Sequence, residues 1–178
     1  MTKATAADAA VRHERLRGLV SLGSQRAARV LAEFAGTTVR AGGLRAGEAL
    51  KSPPFETGVI FAIEGQLNGH LTFCFDPLSR RTLVRLLLDE DEPEAPPDMV
   101  ASALGELANI VASQIVSAIA DVLGGVISLS VPELVLDEVV ARMRDLRAER
   151  GKGDLAASCE LSAPGTELRV LLMIAIDA

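Results

Sequence analysis

The sequence predicts an α+β fold of two long helices and about six strands. Three observations carry this. Residues about 8–35 and 98–123 both show helical apolar spacing and both run into glycine. Each is followed by a strand and then by a hairpin candidate. The composition is 49% hydrophobic and 24% charged over 178 residues, which suits a globular chain with one core. We therefore expect a single domain, 1–178, made of pseudo-repeats at about 8–88 and 98–178.

The first helix is marked by Leu16, Leu19, Val20, Ala27, Val30, Leu31 and Phe34, with Gly36 as its stop. Gly18 and Gly23 lie inside it, each costing about 1 kcal/mol against alanine. Residues 37–51 read as a strand and a loop, and Ser52-Pro53-Pro54 breaks the chain. Gly58 to Phe75 is the hairpin: Val59 to Ile63 goes out, Asn68-Gly69 is the turn signal, and His70 to Phe75 returns. His70 then simply flanks a turn. Asp76-Pro77 opens a short helix over about 78–88.

The run 89–97 is acidic and proline-rich and reads as a solvated linker, with a docking patch for a basic partner as the other reading. Asp98 after Pro96-Pro97 is the expected N-cap of the second long helix, and Gly124-Gly125 its stop. Val126 to Ser130 reads as a strand, and Leu136 to Glu149 as a charged helix ended by Gly151. Leu155 to Leu161 and Leu168 to Ile176 read as a second hairpin around Pro164-Gly165. The two halves align at an offset of 88: Leu16 with Leu104, Leu19 with Leu107, Ala32 with Ala120, Gly36 with Gly124.

Composition excludes several functions. Net charge is −6, against the phosphate neutralisation that nucleic acids demand. There is no Trp and no Tyr, and five Phe give few stacking surfaces for single strands. Cys74 and Cys159 are too few and too far apart for a disulfide framework and read as buried thiols. His13 and His70 lack metal-ligand spacing, so we expect no metal site. The N-terminus lacks the apolar core of a signal peptide. Gln114 and Asp121 interrupt the longest apolar stretch, Ile110 to Ile127, so no membrane span is expected and a cytoplasmic location follows.

The second long helix carries the chemistry. At 100° per residue, Leu104, Leu107, Val111, Ile115, Ala118 and Val122 form an apolar stripe, and Ser102, Glu106, Asn109 and Ser113 a polar one opposite. Glu106 and Asn109 are neighbours at i and i+3. Ala103, Gly105, Ala108 and Ala112 around them are small, so an acid and an amide stand above a low surface. Such a surface suits insertion into another protein's cleft. An exposed Glu and Asn are usually just solvated, and the helix alone favours that reading over a functional one. A capping box is excluded, because Ser102 and Glu106 are four apart and the box needs three.

The pattern Ser102-x3-Glu106-x2-Asn109-x22-Pro132 resembles the signature of the CheC/CheX/FliY family of response-regulator phosphatases, at all four positions. Glu64-Gly65-Gln66-Leu67-Asn68-Gly69 is also similar to that family's first hairpin. The resemblance implies a CheC-like pseudo-twofold duplication, with the two long helices packed on one continuous, mainly antiparallel sheet. It implies phosphatase activity towards the aspartyl phosphate of a CheY-like receiver in chemotaxis or two-component signalling. Asn109 would then position water, and Glu106 would form a salt bridge with the receiver's lysine. Ser102 and Pro132 would support the motif. Magnesium would come with the receiver, one carboxylate being no cage. The alternative is a non-catalytic adaptor that binds a receiver, a CheD-like partner or the flagellar switch. In the first half, Glu14, Gly18, Ser21 and Leu44 stand at the motif positions, so no second active site is expected there; that face is either exposed or packed on a second protomer.

Overall fold

The computed structural model describes residues 6–46, 55–89, 95–150 and 155–177. Helix α1, Ala6–Ala35, leads to β1, Arg40–Ala46, and the hairpin β2, Thr57–Gly65, with β3, Gly69–Phe75. Helices α2, Pro77–Leu88, and α3, Pro97–Leu123, follow. Strands β4, Ile127–Leu129, and β5, Glu133–Val135, precede α4, Val139–Arg150, and the hairpin β6, Leu155–Ser162, with β7, Arg169–Ile176, closes the chain. The acidic run 90–94 and residues 47–54 lie outside the described residues.

All strands join one antiparallel sheet in the order β1-β6-β7-β3-β2-β4, with β5 also on β2. Among the described residues that makes seven strands where about six were expected. The order is a palindrome: each half's hairpin pairs with the other half's edge strand, and β3 meets β7 at the centre. Both edges carry a bulge at matching positions. In β1 the register shifts between Ala41 and Leu44. On the other edge Leu129 faces Ile63 while Glu133 faces Ile60, so Ser130, Val131 and Pro132 fit against one residue fewer of β2. Proline cannot donate a ladder hydrogen bond, so the strand that runs through on one edge is split into β4 and β5 on the other.

Strand alternation decides what each face buries. Val59, Phe61 and Ile63 of β2, Leu71 and Phe73 of β3, and Leu172 and Ile174 of β7 face α1 and α3. Phe61 and Phe73 meet edge-on, with ring centres 6.4 Å apart. The intervening Ile60, Cys74, Leu171 and Met173 point to the other face, where Val139 and Met143 of α4 cover them. A Cβ on Gly58 would collide with Val139, so the strand needs glycine where α4 begins. Cys74 and Cys159 are both buried free thiols. Burial pushes Cys74 up to about 12, which keeps it protonated and inert.

Several local expectations change. Helix α4 starts at Val139, three residues later than predicted, because Glu138 is in the left-handed region at φ 60°. Asp98 is not the cap of α3; Pro96 holds that position with no side-chain hydrogen bond. Val122, assigned to the apolar stripe, is 66% exposed at the helix end. In the first hairpin Gly69 already belongs to β3, and the connection is Gln66 to Asn68; Gly65 at the end of β2 has φ 118°, and its N–H donates to Asn68 Oδ1. Gly36 and Gly124 both end their helices in the left-handed conformation. Helix α3 is long and apolar enough to cross a membrane by length and composition, yet half of its most apolar stretch is buried inside the protein, as in a core helix.

The cap of α2 ties the hairpins together. Asp76 Oδ1 accepts from the Ser79 N–H at 2.7 Å, and Oδ2 from Arg169 Nη2 at 2.7 Å. Ser79 Oγ accepts from the Arg169 N–H and donates to the Glu167 carbonyl. Burial alone would raise the Asp76 carboxyl; the hydrogen bonds from Ser79 and the Arg169 charge outweigh it and hold the group below its ordinary value. A lowered folded value stabilises the protein above the unfolded carboxylate value of about 4, and that contribution fades as pH falls through the folded one. Asp76→Ala should lower the unfolding free energy by about 1 to 2 kcal/mol at pH 7. The difference from wild type should shrink towards pH 3, as urea unfolding at the two pH values would show.

Candidate functional site

Helix α3 has ten buried residues, Val100, Leu104, Leu107, Ala108, Val111, Ala112, Ile115, Val116, Ala118 and Ile119. They follow the helical period, so packing fixes which side of α3 faces out. Ser102, Glu106, Asn109 and Ser113 all lie on that outer side and are exposed. Among the described residues, neither Glu106 nor Asn109 makes a side-chain hydrogen bond or ion pair. A Cβ built on Gly105 meets nothing within 4 Å, so the surface beside Glu106 is open as well as low.

Asn109 stands over a shallow groove between α3 and the strand beside it. Ser113, Val116, Ser117 and Ala120 form its helical wall, and Gly125, Val126, Ile127, Leu129 and Ser130 the opposite one. Ser130 holds that wall to the sheet. Its N–H donates to the Ala62 carbonyl at 3.0 Å, and its Oγ accepts the Ala62 N–H at 2.9 Å. Beyond the bulge, Arg142 of α4 donates two hydrogen bonds to Glu133, at 2.6 and 3.1 Å, and keeps β5 in place. Those bonds lower the Glu133 carboxyl below its usual value.

The structure thus brings Asn109 and Ser113 into one groove, with Glu106 one turn up the helix. Ser102 lies a further turn away, and neither it nor Pro132 lines the groove. Pro132 acts from the bulge, where it interrupts the edge strand. Sequence reasoning missed Ser117, Val126 and Ser130. Ser117 was open to it, being two helical turns past Asn109; Val126 and Ser130, which flank β4, come near only through the fold. Among the described residues no three His, Cys, Asp or Glu side chains gather closely enough to hold a metal ion.

A second groove lies beside α1, and its lining repeats the first at the offset of 88. Gln25, Ala28, Arg29 and Ala32 match Ser113, Val116, Ser117 and Ala120, and Thr38, Val39 and Ala41 match Val126, Ile127 and Leu129. The polar pair is not repeated. Gly18 stands in place of Glu106 and Ser21 in place of Asn109, and a Cβ on Gly18 meets nothing within 4 Å. Among the described residues Glu14 makes only an exposed contact to Arg17 at 3.9 Å. Leu44, at the Pro132 position, is partly buried against the core.

A family model described as chemotaxis phosphatase CheX matches residues 57–150. No curated protein sequence matches the chain at a significant level. Solved structures are similar throughout. The chemotaxis protein CheX of Desulfovibrio desulfuricans has a TM-score of 0.67 at 13% identity, over 90% of this chain and 99% of that one. The CheX of a CheX-CheY-BeF3-Mg complex from Borrelia burgdorferi has 0.69 at 22%, over 89% and 97%. Thermotoga maritima FliY has 0.66 at 18%, over 99% and 93%. At these identities the likeness carries the fold: an α+β, CheC-like architecture.

The open space at Gly105 gives a direct check on the site's local structure. Gly105→Ala should raise the unfolding free energy by roughly 0.5 to 1 kcal/mol, since alanine favours the helix and its methyl meets no neighbour. Thermal unfolding measures this. A loss of stability would mean that the surface beside Glu106 is closed.

Proposed function

The chain belongs to the CheX chemotaxis phosphatase family, within the CheC/CheX/FliY group, and we propose that it accelerates hydrolysis of the aspartyl phosphate on a CheY-like response regulator. The observation that carries this reading is the unpartnered Glu106–Asn109 pair on an outward, small-residue face of α3. An acid and an amide left without protein partners are available to a partner's site.

The chemistry asks little of this chain. In hydrolysis of an acyl phosphate, water attacks phosphorus, the bond from phosphorus to the aspartyl oxygen breaks, and the carboxylate is restored. Such a reaction depends mainly on positioning and electrostatics. Asn109 suits water positioning, because its oxygen accepts from the water while its nitrogen donates to an oxygen of the phosphoryl group. Glu106, exposed at i−3, reaches the receiver's active-site lysine as an ion pair that sets the angle of approach. Ser102 keeps the upper end of the face short, and Pro132 sets the bulge below the groove. Magnesium belongs to the receiver; α3 offers a single carboxylate on this face. A cytoplasmic location goes with such a partner.

The decay of a phosphorylated CheY-like receiver in magnesium, with and without this protein, tests the reading. Asn109→Ala should reduce the catalysed rate by roughly 100-fold, the scale of losing one positioned polar group. Glu106→Ala should chiefly raise the receiver concentration needed for half-maximal rate. Tight receiver binding with no acceleration would instead support an adaptor.

A further inference from the structure

The polar pair is bracketed by two apolar side chains that the fold leaves wholly or partly exposed. On one side, Ile110 follows Glu106 by four residues on the same helix flank and is 39% exposed. On the other, Val126 lines the groove with Asn109 and is 83% exposed. A part-exposed Ile and a largely exposed Val on either side of an acid and an amide make a surface with a polar centre and apolar shoulders.

The molecule carries its own control. At the offset of 88, Glu106 and Asn109 become Gly18 and Ser21. The shoulders change with them: Ile110 becomes Leu22, partly buried against the core, and Val126 becomes Thr38. The half that lacks the polar pair therefore also lacks its exposed apolar flanks.

Charge narrows the occupant. Residues 97–138 hold six acidic side chains, Asp98, Glu106, Asp121, Glu133, Asp137 and Glu138, and no Lys or Arg. Glu133 is already paired with Arg142, so the charge beside Asn109 is that of Glu106, and a partner that meets it brings positive charge at that point. The active-site lysine and bound magnesium of a receiver supply that charge.

We infer that Ile110 and Val126 are the affinity- and specificity-determining contacts for the receiver, two apolar anchors that pack beside its acyl phosphate while Glu106 and Asn109 enter the site between them. This rests on the receiver-phosphatase reading above. The anchors act on binding and leave the chemical step alone.

The test uses the full chain with Ile110→Ser and Val126→Ser, singly and together, after thermal unfolding confirms that each folds. Val126→Ser, at a largely solvent-exposed position, serves if Ile110→Ser does not fold. Receiver dephosphorylation is measured over a range of receiver concentrations. Binding of the beryllofluoride-activated, magnesium-bound receiver is titrated in parallel. The double variant should raise the half-saturating receiver concentration and the dissociation constant by roughly tenfold, with the rate at saturation within about twofold of wild type. Unchanged half-saturation and binding would overturn the inference and leave the phosphatase reading standing. So would a loss of saturated rate with binding intact. A wild-type protein that binds the receiver without accelerating dephosphorylation would overturn the phosphatase reading, and the titration would still decide the anchors. A wild-type protein that does neither would overturn both.

Discussion

The packing of α3 against α1 and the sheet is the constraint on which everything else depends. With no Trp or Tyr in the chain, the core is filled by Leu, Val, Ile and Ala around Phe61 and Phe73. Small residues let the two long helices approach closely. A Cβ on Gly23 of α1 would come within 3.0 Å of Ile115 Cγ2, the middle of the buried stripe of α3. That contact, with Leu104, Leu107, Val111 and Ile119 locked below it, leaves α3 a single rotational setting. The outward direction of Glu106 and Asn109 is therefore set by what lies beneath them. Rotating the helix to hide the pair would expose five core side chains, a loss of about 1.5 to 3 kcal/mol each.

The same constraint explains what the sequence revealed. Long apolar periodicity with a glycine stop located both helices within two residues of their ends, because burial on one face enforces the period. The hairpin from 58 to 75 was equally legible through its alternation. Strand β5 was not: three residues after a proline carry no periodicity, and only β2 beside them makes them a strand. The late start of α4 was hidden in the left-handed Glu138, and nothing local announced that α4 lies on the opposite face of the sheet. At the candidate site, the outward position of Glu106 and Asn109 followed from the helix alone. The groove did not, since Val126 and Ser130 reach it through the sheet.

The palindromic strand order has a consequence for function. It builds two grooves from equivalent positions, each beneath a long helix and beside a bulged edge strand. The scaffold is nearly the same twice, and the side chains differ: Glu, Asn and Val on one, Gly, Ser and Thr on the other. Function in such a fold resides in a few exposed positions and not in the architecture. The buried stripe of α3 packs on the core, and its outer face is left free of structural duty.

In the proposed complex the outer face of α3 enters a receiver's active site with Asn109 beside the phosphoryl group. The most direct measurement is a structure of this chain bound to a magnesium-loaded, beryllofluoride-activated CheY-like receiver. The Asn109 amide should lie within hydrogen-bond reach of the beryllofluoride, directly or through one water at about 3 Å from each. A receiver docked on α1, on a sheet edge or on α4, with Asn109 still in solvent, would contradict it.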